Sequence, residues 1–364
     1  MKFTIEKNTF LDALRTTQRI SGARLGVNLA NSVLIKAKGE EIILTGGEKN
    51  LCIETTVQAD VHEEGTMIVD SKIFGEIIRK FPDEVINVNK INNQYIEISC
   101  KRNIANIHYS NQEDFPEVPY VQGKNMFSIS QKMLKEMIKN TCFASSEESF
   151  KTIFSGVLVD FKNDSFNMIA LDGFRAAFFF NPIETDMNFS ARIPSKALNE
   201  IEKTLDWTDA PADITFTDNH ILVACGQTKI ISTLIHGNLQ NYEAYIPNEN
   251  SLSIIISRQS LLNGLESASI IGKEGNVSTV VLDIQESTMI ITSNSLLGTS
   301  RSEIDITGNG FPIEIKFNSR YLIEAINALY EDEIEMRFTN NYSVCFIKNK
   351  NDEKQIHLIS PIRI

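Results

Sequence analysis

The 364-residue sequence lacks the features that mark several large protein classes. Its five cysteines lie far apart and form no Cys-x-x-Cys pair, which favours a reducing compartment over a disulfide framework. Apolar runs such as 176–180 are too short to cross a bilayer, and the first residues show no apolar signal region. These absences predict a cytoplasmic protein that does not bind a membrane.

Motifs of catalysis and metal binding are scarce as well. The histidines have no metal-ligand spacing, and no GxSxG, P-loop or GxGxxG pattern is present. Asp172 beside Gly173 could form a catalytic turn, but no recurring motif pairs it with a second acid or base. We therefore expect no catalytic residue, metal or cofactor, and an enzyme remains the main alternative from another class.

The chain also lacks a positive net charge. Its formal charge is −12, which as a whole-chain value argues against nucleic-acid binding, because Lys and Arg supply most of the affinity for phosphate. The apolar fraction of 42% and the charged fraction of 23% are those of an ordinary globular protein. The length favours two or three domains over a single core.

What the sequence does contain is a three-fold repeat. In each copy a strand-like segment leads into a Ser, a basic residue and apolar residues at helical spacing, and the segments are 67–81, 191–205 and 315–329. Ser71, Ser195 and Ser319 follow one another at intervals of 124 residues. The pattern predicts three helices, each with its Ser as the N-cap.

A second helix is predicted near the start of each repeat, after the leading strands at Phe3, Phe127 and Ile254. The segments between helices alternate with period two and end in turn residues. Helices among short antiparallel strands indicate the α+β class. We expect three domains, over residues 1–120, 121–248 and 249–364, each with two helices packed on antiparallel sheets.

Charge is distributed unevenly between these elements. The six predicted helices, 7–20, 71–81, 131–140, 195–205, 258–270 and 319–330, hold 13 basic and 7 acidic residues, a net +6 that leaves −18 for the rest. Solvated helix faces commonly carry such residues. The alternative interpretation is that the helices face an anion, although the third repeat shows no bias.

Several motifs in order carry a resemblance to a known family. They are residues 1–5, Asp114-Phe115-Pro116, residues 171–175, residues 317–322 and the terminal residues 360–364. Together with the repeat, they make the whole chain resemble the bacterial β sliding clamps of DNA polymerase III. The resemblance implies the DNA-clamp fold and a ring-shaped homodimer that encircles double-stranded DNA without reading its sequence. It also implies a non-catalytic processivity factor.

Partners and site residues follow from the same resemblance. It implies binding of the DNA polymerase III catalytic subunit, the clamp loader, and other polymerases and repair proteins through short linear peptides. The peptide pocket would comprise Phe154, Leu171, Gly173, Phe174, Arg175, Ala176, Gln240, Ala244, Tyr245, Leu358, Ile359, Ser360, Pro361, Ile362 and Arg363. The residues near DNA would be Arg24, Lys72, Arg79, Lys196 and Arg320.

The resemblance places the dimer interface at Ala105 and Ile107 in the first repeat and at Ile270 and Ile271 in the third. Within such a ring, six helices about 10 Å wide leave a hole of about 9 Å, and twelve leave about 28 Å. A duplex is more than about 16 Å across, so two copies are needed. A repeat scaffold that binds only proteins is the second alternative.

Overall fold

The computed structural model describes residues 1–20, 31–110, 115–123, 125–146, 154–162, 164–237, 242–246, 252–274, 277–296, 298–308 and 312–362. Three predicted site residues, Arg24, Gln240 and Arg363, lie outside these ranges. Over the described ranges no helix is long and apolar enough to cross a membrane.

The described residues contain six α-helices, two for each repeat. They are α1 (Lys7–Gln18), α2 (Ser71–Lys80), α3 (Gln131–Thr141), α4 (Ser195–Thr204), α5 (Arg258–Ile271) and α6 (Ser319–Ala328). Each coincides with a predicted helix to within about three residues, so the helix predictions are confirmed. Their apolar residues at helical spacing, such as Phe10, Leu11 and Leu14, are the buried ones.

The prediction that Ser71 and Ser319 are N-caps is wrong. Asp70 and Asn318 are the caps, and their side chains accept hydrogen bonds from the backbone amides of Ile73 and Arg320. The serines are the first helical residues, and their hydroxyls donate elsewhere: Ser71 to the carbonyl of Asn31 at 2.6 Å and Ser319 to that of Ser278 at 3.1 Å. Both are buried, so they fasten the helix to the sheet.

The strands follow the repeat. The first repeat contributes β1 (Lys2–Glu6), β2 (Ser32–Lys38), β3 (Glu41–Glu48), β4 (Leu51–Gln58), β5 (Asp60–Glu63), β6 (Gly65–Asp70), β7 (Val85–Lys90), β8 (Tyr95–Cys100) and β9 (Asn103–His108). The second contributes β10 (Asn125–Ser130), β11 (Val157–Phe161), β12 (Ser165–Leu171), β13 (Arg175–Pro182), β14 (Phe189–Ile193), β15 (Pro211–Phe216), β16 (His220–Cys225) and β17 (Thr228–Thr233).

The third repeat contributes β18 (Leu252–Ser257), β19 (Lys273–Glu274), β20 (Val277–Ile284), β21 (Thr288–Ser295), β22 (Gly298–Gly308), β23 (Ile313–Asn318), β24 (Glu333–Phe338), β25 (Cys345–Asn349) and β26 (Gln355–Ile359). Among the described residues, the strands named above pair with one another in antiparallel fashion, as expected for the α+β class.

Two compact units contain these strands. The first unit, residues 1–135 and 197–234, has a five-stranded sheet in the order β5-β1-β7-β8-β9 and an eight-stranded sheet in the order β10-β15-β16-β17-β4-β3-β2-β6. In its core Phe10 makes edge-to-face contacts with Phe3 and Phe74, at centroid distances of 5.8 and 5.5 Å.

The second unit, residues 136–196 and 235–364, has one continuous thirteen-stranded sheet. Its order is β14-β11-β12-β13-β26-β25-β24-β18-β22-β21-β20-β19, with β23 paired to β20. Strands of the second repeat therefore lie in both units. The domain limits near 120 and 248 stay a prediction, because the two compact units contain sheets shared between repeats and their limits fall within α3 and α4.

Sheet sharing between repeats follows a rule. Each repeat has three consecutive paired strands, β2-β3-β4, β11-β12-β13 and β20-β21-β22. The last strand of a repeat pairs with the third of these strands in the preceding repeat: β17 pairs with β4 in the first unit, and β26 pairs with β13 in the second. We call these pairings the first seam and the second seam. They bring residues of neighbouring repeats into direct cross-strand contact.

Candidate functional site

Most of the predicted pocket residues that the structure describes gather at the second seam. Arg175 lies opposite Ile359 and Ala176 opposite Leu358 where β13 pairs with β26. Beyond β26 the chain stays docked, because the amide of Ser360 donates to the carbonyl of Phe174 at 2.8 Å and the amide of Ile362 donates to that of Lys316 at 2.8 Å. The segment 360–362 is therefore held against β13 and β23.

An apolar cluster fills one face of this seam. Its buried members are Leu158, Ile169, Ala176, Phe178, Tyr242, Phe346, Ile356 and Leu358, with Leu171, Phe180 and Ile246 packed against them. The Tyr242 hydroxyl donates to Asp160 at 2.7 Å, and burial, followed by this hydrogen bond, raises the pKa of Tyr242. Tyr242, which lies between β17 and β18, is therefore a buried member of the apolar cluster. The nearby Tyr245 is exposed.

The turn from β12 to β13 presents an aromatic side chain to solvent. The Asp172 carboxylate accepts from the amides of Phe174 and Arg175 at 2.9 and 3.0 Å, a local pattern that stabilises turns. Gly173 has a φ of +92°, and a Cβ there would lie 3.3 Å from the Phe154 ring. Because of this turn, Phe174 is 62% exposed at the rim.

Arg175 is a buried centre of ion pairs and not a free ligand-binding cation. It is 9% exposed, and its guanidinium donates to Asp172 at 3.0 Å, to the Phe143 carbonyl at 2.6 Å, and to Glu324. It also lies 4.4 Å from the ring centre of Tyr321. We infer that Arg175 acts by fixing β13 and α6.

Sequence reasoning missed Glu324, Phe143 and Tyr321 as residues of this site. Glu324 is 149 positions from Arg175, so no local spacing connects the two. The Asp172–Arg175 pair has a spacing of three residues, and that is the one part of the network a sequence signal could have indicated. Among the predicted pocket residues, Ile359 lies in the core of the third repeat, where only 1% of it is exposed.

The predicted interface residues lie on two elements that end at a surface. Ala105 and Ile107 are half-buried on β9, which is the edge strand of the five-stranded sheet in the first unit. Ile270 is 72% exposed at the end of α5, and Ile271 is half-buried. In the second unit, residues 298–305 of β22 pair with β21 along one side, and within the described part of the chain no strand lies on the other side.

Comparison with known families decides the identity of this fold. The model for the N-terminal domain of the DNA polymerase III beta subunit matches residues 1–119, that for the central domain 128–241, and that for the C-terminal domain 243–363. The chain belongs to this family. It is a sliding clamp, the non-catalytic processivity subunit of DNA polymerase III.

Individual relatives agree with this assignment. The beta sliding clamps of Staphylococcus epidermidis and Staphylococcus aureus are each 26% identical to this clamp, over 100% of its length and 99% of theirs. A putative DNA polymerase III beta subunit from Eubacterium rectale has 27% identity and a TM-score of 0.95 over 100% of both chains. The Bacillus subtilis clamp has 25% identity and a TM-score of 0.94 over 100% of this chain and 99% of that one.

Four of the five predicted DNA-facing residues of the clamp are described, and all are exposed on helices. Lys72 and Arg79 lie on α2, Lys196 on α4 and Arg320 on α6. The Arg320 guanidinium donates to Glu324 at 2.8 Å, and this hydrogen bond raises the pKa of Arg320. Part of its charge is therefore compensated, whereas Lys72 and Arg79 have no ion pair with any described residue.

The net charge of +6 on the helices is larger than the number of cationic side chains that are accessible to a ligand would suggest. Lys135 of α3 lies within 3.2 Å of the Glu202 carboxylate and donates to the carbonyls of Glu202 and Leu205. In α1, Lys7 donates to the carbonyl of Phe81 at 2.6 Å. These lysines fix helix ends within the first unit. In the described parts of the chain no group of His, Cys, Asp and Glu could hold a metal ion.

Proposed function

We propose that this clamp closes around duplex DNA as a head-to-tail pair of identical chains, with β9 of each copy joined to β22 of the other. The observation that carries this is the seam rule. Two last strands, β17 and β26, each pair with β4 or β13, the third of the three consecutive strands in the preceding repeat. Among the described residues, the remaining last strand, β9, and residues 298–305 of the remaining third strand, β22, each have one edge with no paired strand.

The seams also suggest the register of this pairing. In the first seam Ile230 lies opposite Ile53, and in the second His357 lies opposite Ala177. Counting along the ladders, the equivalent residues of β9 and β22 are Ala105 and Ser300. Ile107 would then lie opposite Gly298. A dimer formed this way contains two equal contacts and closes, as head-to-tail rings must.

The experiment for this interface is sedimentation of Ile271→Asp beside Glu266→Lys, an exposed change on the same helix. Burying a carboxylate at the end of α5 costs several kcal/mol, so we expect Ile271→Asp to sediment as a monomer and Glu266→Lys as a dimer. An unshifted dimer for Ile271→Asp would count against this interface.

For DNA we propose weak contacts through Lys72, Arg79, Lys196 and Arg320, with Arg24 as a fifth residue. The exposure of these cations on helices supports this, since phosphate contacts need accessible Lys and Arg and carry no sequence information. Reversing the charges of Lys72, Arg79 and Lys196 together should reduce clamp loading and polymerase processivity, most strongly at low salt, where phosphate contacts are least screened. Unchanged processivity would contradict the role.

For proteins we propose that linear peptides of the DNA polymerase III catalytic subunit, the clamp loader, and other polymerases and repair proteins dock at the second seam. The apolar cluster and the exposed Phe174 and Tyr245 support this, because a few apolar anchors carry most of the binding energy of a peptide. Phe174→Ser should weaken binding of a polymerase-derived peptide at least tenfold in calorimetry. Exposed Tyr342→Ser is the control.

A further inference from the structure

A cavity lies on the first repeat, within the first unit, and shares no residue with the second seam. It has a volume of about 770 Å³, which is within the range of small-ligand sites. The linker at 115–118 covers one face of the sheet formed by β2, β3, β4 and β6. Its apolar wall comprises Leu34, Ile43, Phe115, Pro116 and Val118, and its polar wall comprises Lys36, Thr45, Glu54, Thr66, Lys90 and Glu117.

Two lysines in this cavity have no carboxylate partner among the described residues. The Lys90 ammonium donates to the Thr66 carbonyl at 2.6 Å and lies 4.2 Å from the ring centre of Tyr109. Burial lowers the pKa of Lys90, as expected for a cation withdrawn from water without a counter-ion. Lys36 also has no ion pair with any described residue, and Glu54 is already 3.8 Å from Lys229.

The second repeat has a carboxylate with hydrogen-bond donors at the position equivalent to Lys36. Asp160 lies opposite Ser190 as Lys36 lies opposite Thr66. In the second repeat Ser190 and Tyr242 both donate to the Asp160 carboxylate, and the linker packs tightly. The first repeat has an ammonium in place of the carboxylate and Phe115 as the linker aromatic, which has no hydroxyl. Lys36 is exposed, and neither of the two carboxylates that line the cavity, Glu54 and Glu117, forms an ion pair with it.

We propose that this cavity binds an organic anion, a carboxylate or a phosphate on an apolar body, with its charge between Lys36 and Lys90. The apolar body would rest on Phe115, Pro116 and Leu34. A small molecule and an acidic side chain beside an apolar one in a peptide share this chemistry. The proposal does not depend on peptide binding at the second seam.

The test is calorimetry on the full chain with four probes. They are 2-naphthoate, 2-naphthyl phosphate, the neutral 2-naphthalenemethanol, and a blocked tripeptide of glutamate, leucine and glutamate. We expect both small anions to bind and the neutral alcohol to bind at least tenfold more weakly, since hydrogen bonds to charged groups are the strong ones. Tighter binding of the tripeptide than of 2-naphthoate would identify a protein segment as the source.

Variants separate this site from general attraction to a lysine-rich surface. Lys36→Met should weaken 2-naphthoate binding about tenfold or more, and Lys38→Met, an exposed change two residues along the same strand, should not. The double variant with Lys36→Asp and Phe115→Tyr has the side chains that the second repeat has at Asp160 and Tyr242, and it should not bind 2-naphthoate. Absence of binding for every anionic probe at millimolar concentration, or equal binding by the Lys36→Met and Lys38→Met variants, would overturn the proposal.

Discussion

The two seams have the same backbone pairing but opposite chemistry. Glu54 lies opposite Lys229 in the first seam, and at the equivalent position Phe178 lies opposite Ile356 in the second. Likewise Thr45 in the first repeat corresponds to Ile169 in the second. The first seam therefore carries an ion pair where the second carries an apolar cluster. The repeat therefore supplies the same backbone scaffold twice, and the side chains make the second seam apolar where the first is charged.

The largest expected effect comes from exchanging these residues. Phe178→Glu places a carboxylate without a cation in the apolar cluster, and we expect a loss of at least about 4 kcal/mol in the free energy of unfolding. Glu54→Phe in the first seam should change it by less than about 1 kcal/mol, because it removes only a partly exposed ion pair. Thermal unfolding of the two variants side by side measures the difference. Equal losses would show that the seams are not energetically different.

Removing one cation from each seam should have unequal effects too. Arg175→Met leaves the Asp172 and Glu324 carboxylates in the second seam without their buried partner, at a cost of about 3 kcal/mol. Lys229→Met breaks an ion pair of 3.8 Å in which the lysine side chain is 52% exposed, at a cost below about 1 kcal/mol. Denaturant unfolding gives both values. If Glu324→Gln restored the stability of the Arg175→Met variant, the unpaired carboxylate would be the cause of the loss.

Acid should destabilise the second seam more than the first. Ile230 in the first seam and His357 in the second occupy equivalent positions. His357 lies on the sheet face opposite the apolar cluster, and both of its ring nitrogens are buried with no hydrogen-bond partner among the described residues. Burial lowers the pKa of His357 from 6.5 to about 3. Between these values the unfolded chain binds more protons, so this contribution to stability is complete above pH 6.5 and falls as the pH decreases, by about 1.4 kcal/mol per pH unit.

His357→Ile copies the first seam and should flatten the acid side of the stability profile between about pH 6 and pH 4. Chemical denaturation at several pH values measures this, with His236→Asn, a change at an exposed histidine outside the seam, as the control. A profile identical to that of the parent chain would contradict the assignment to His357.

The smallest effect concerns one hydroxyl. Tyr242→Phe removes the hydrogen bond to Asp160 in the second repeat and should cost about 1–2 kcal/mol, because the carboxylate loses a donor. Phe115→Tyr adds a hydroxyl to the first repeat, where Lys36 can only donate, and should change stability by less than about 0.5 kcal/mol. Thermal unfolding of both variants compares them. A loss for Phe115→Tyr as large as for Tyr242→Phe would mean that the linkers are equivalent.

The sequence predicts the scaffold well because the scaffold depends on local signals. Apolar periodicity located the six helices, and the interval of 124 residues located the repeat. The caps could not be assigned in the same way, because Asp70 and Ser71 are adjacent and both have cap-forming side chains. The Arg175–Glu324 pair depends on how α6 lies against β13, and the Glu54–Lys229 pair depends on which strands meet at the first seam. Local spacing encodes neither.

In the proposed dimer, β9 of one copy pairs with β22 of the other and closes the ring. A variant with Ala105→Cys and Ser300→Cys places cysteines at directly opposite positions, where Cα atoms about 4.5–5.5 Å apart allow a disulfide. After loading on nicked circular DNA and oxidation, we expect a covalent dimer that stays on the circle in high salt and leaves once the DNA is cut to a linear form. Release from the intact circle, or no cross-link between copies, would contradict it.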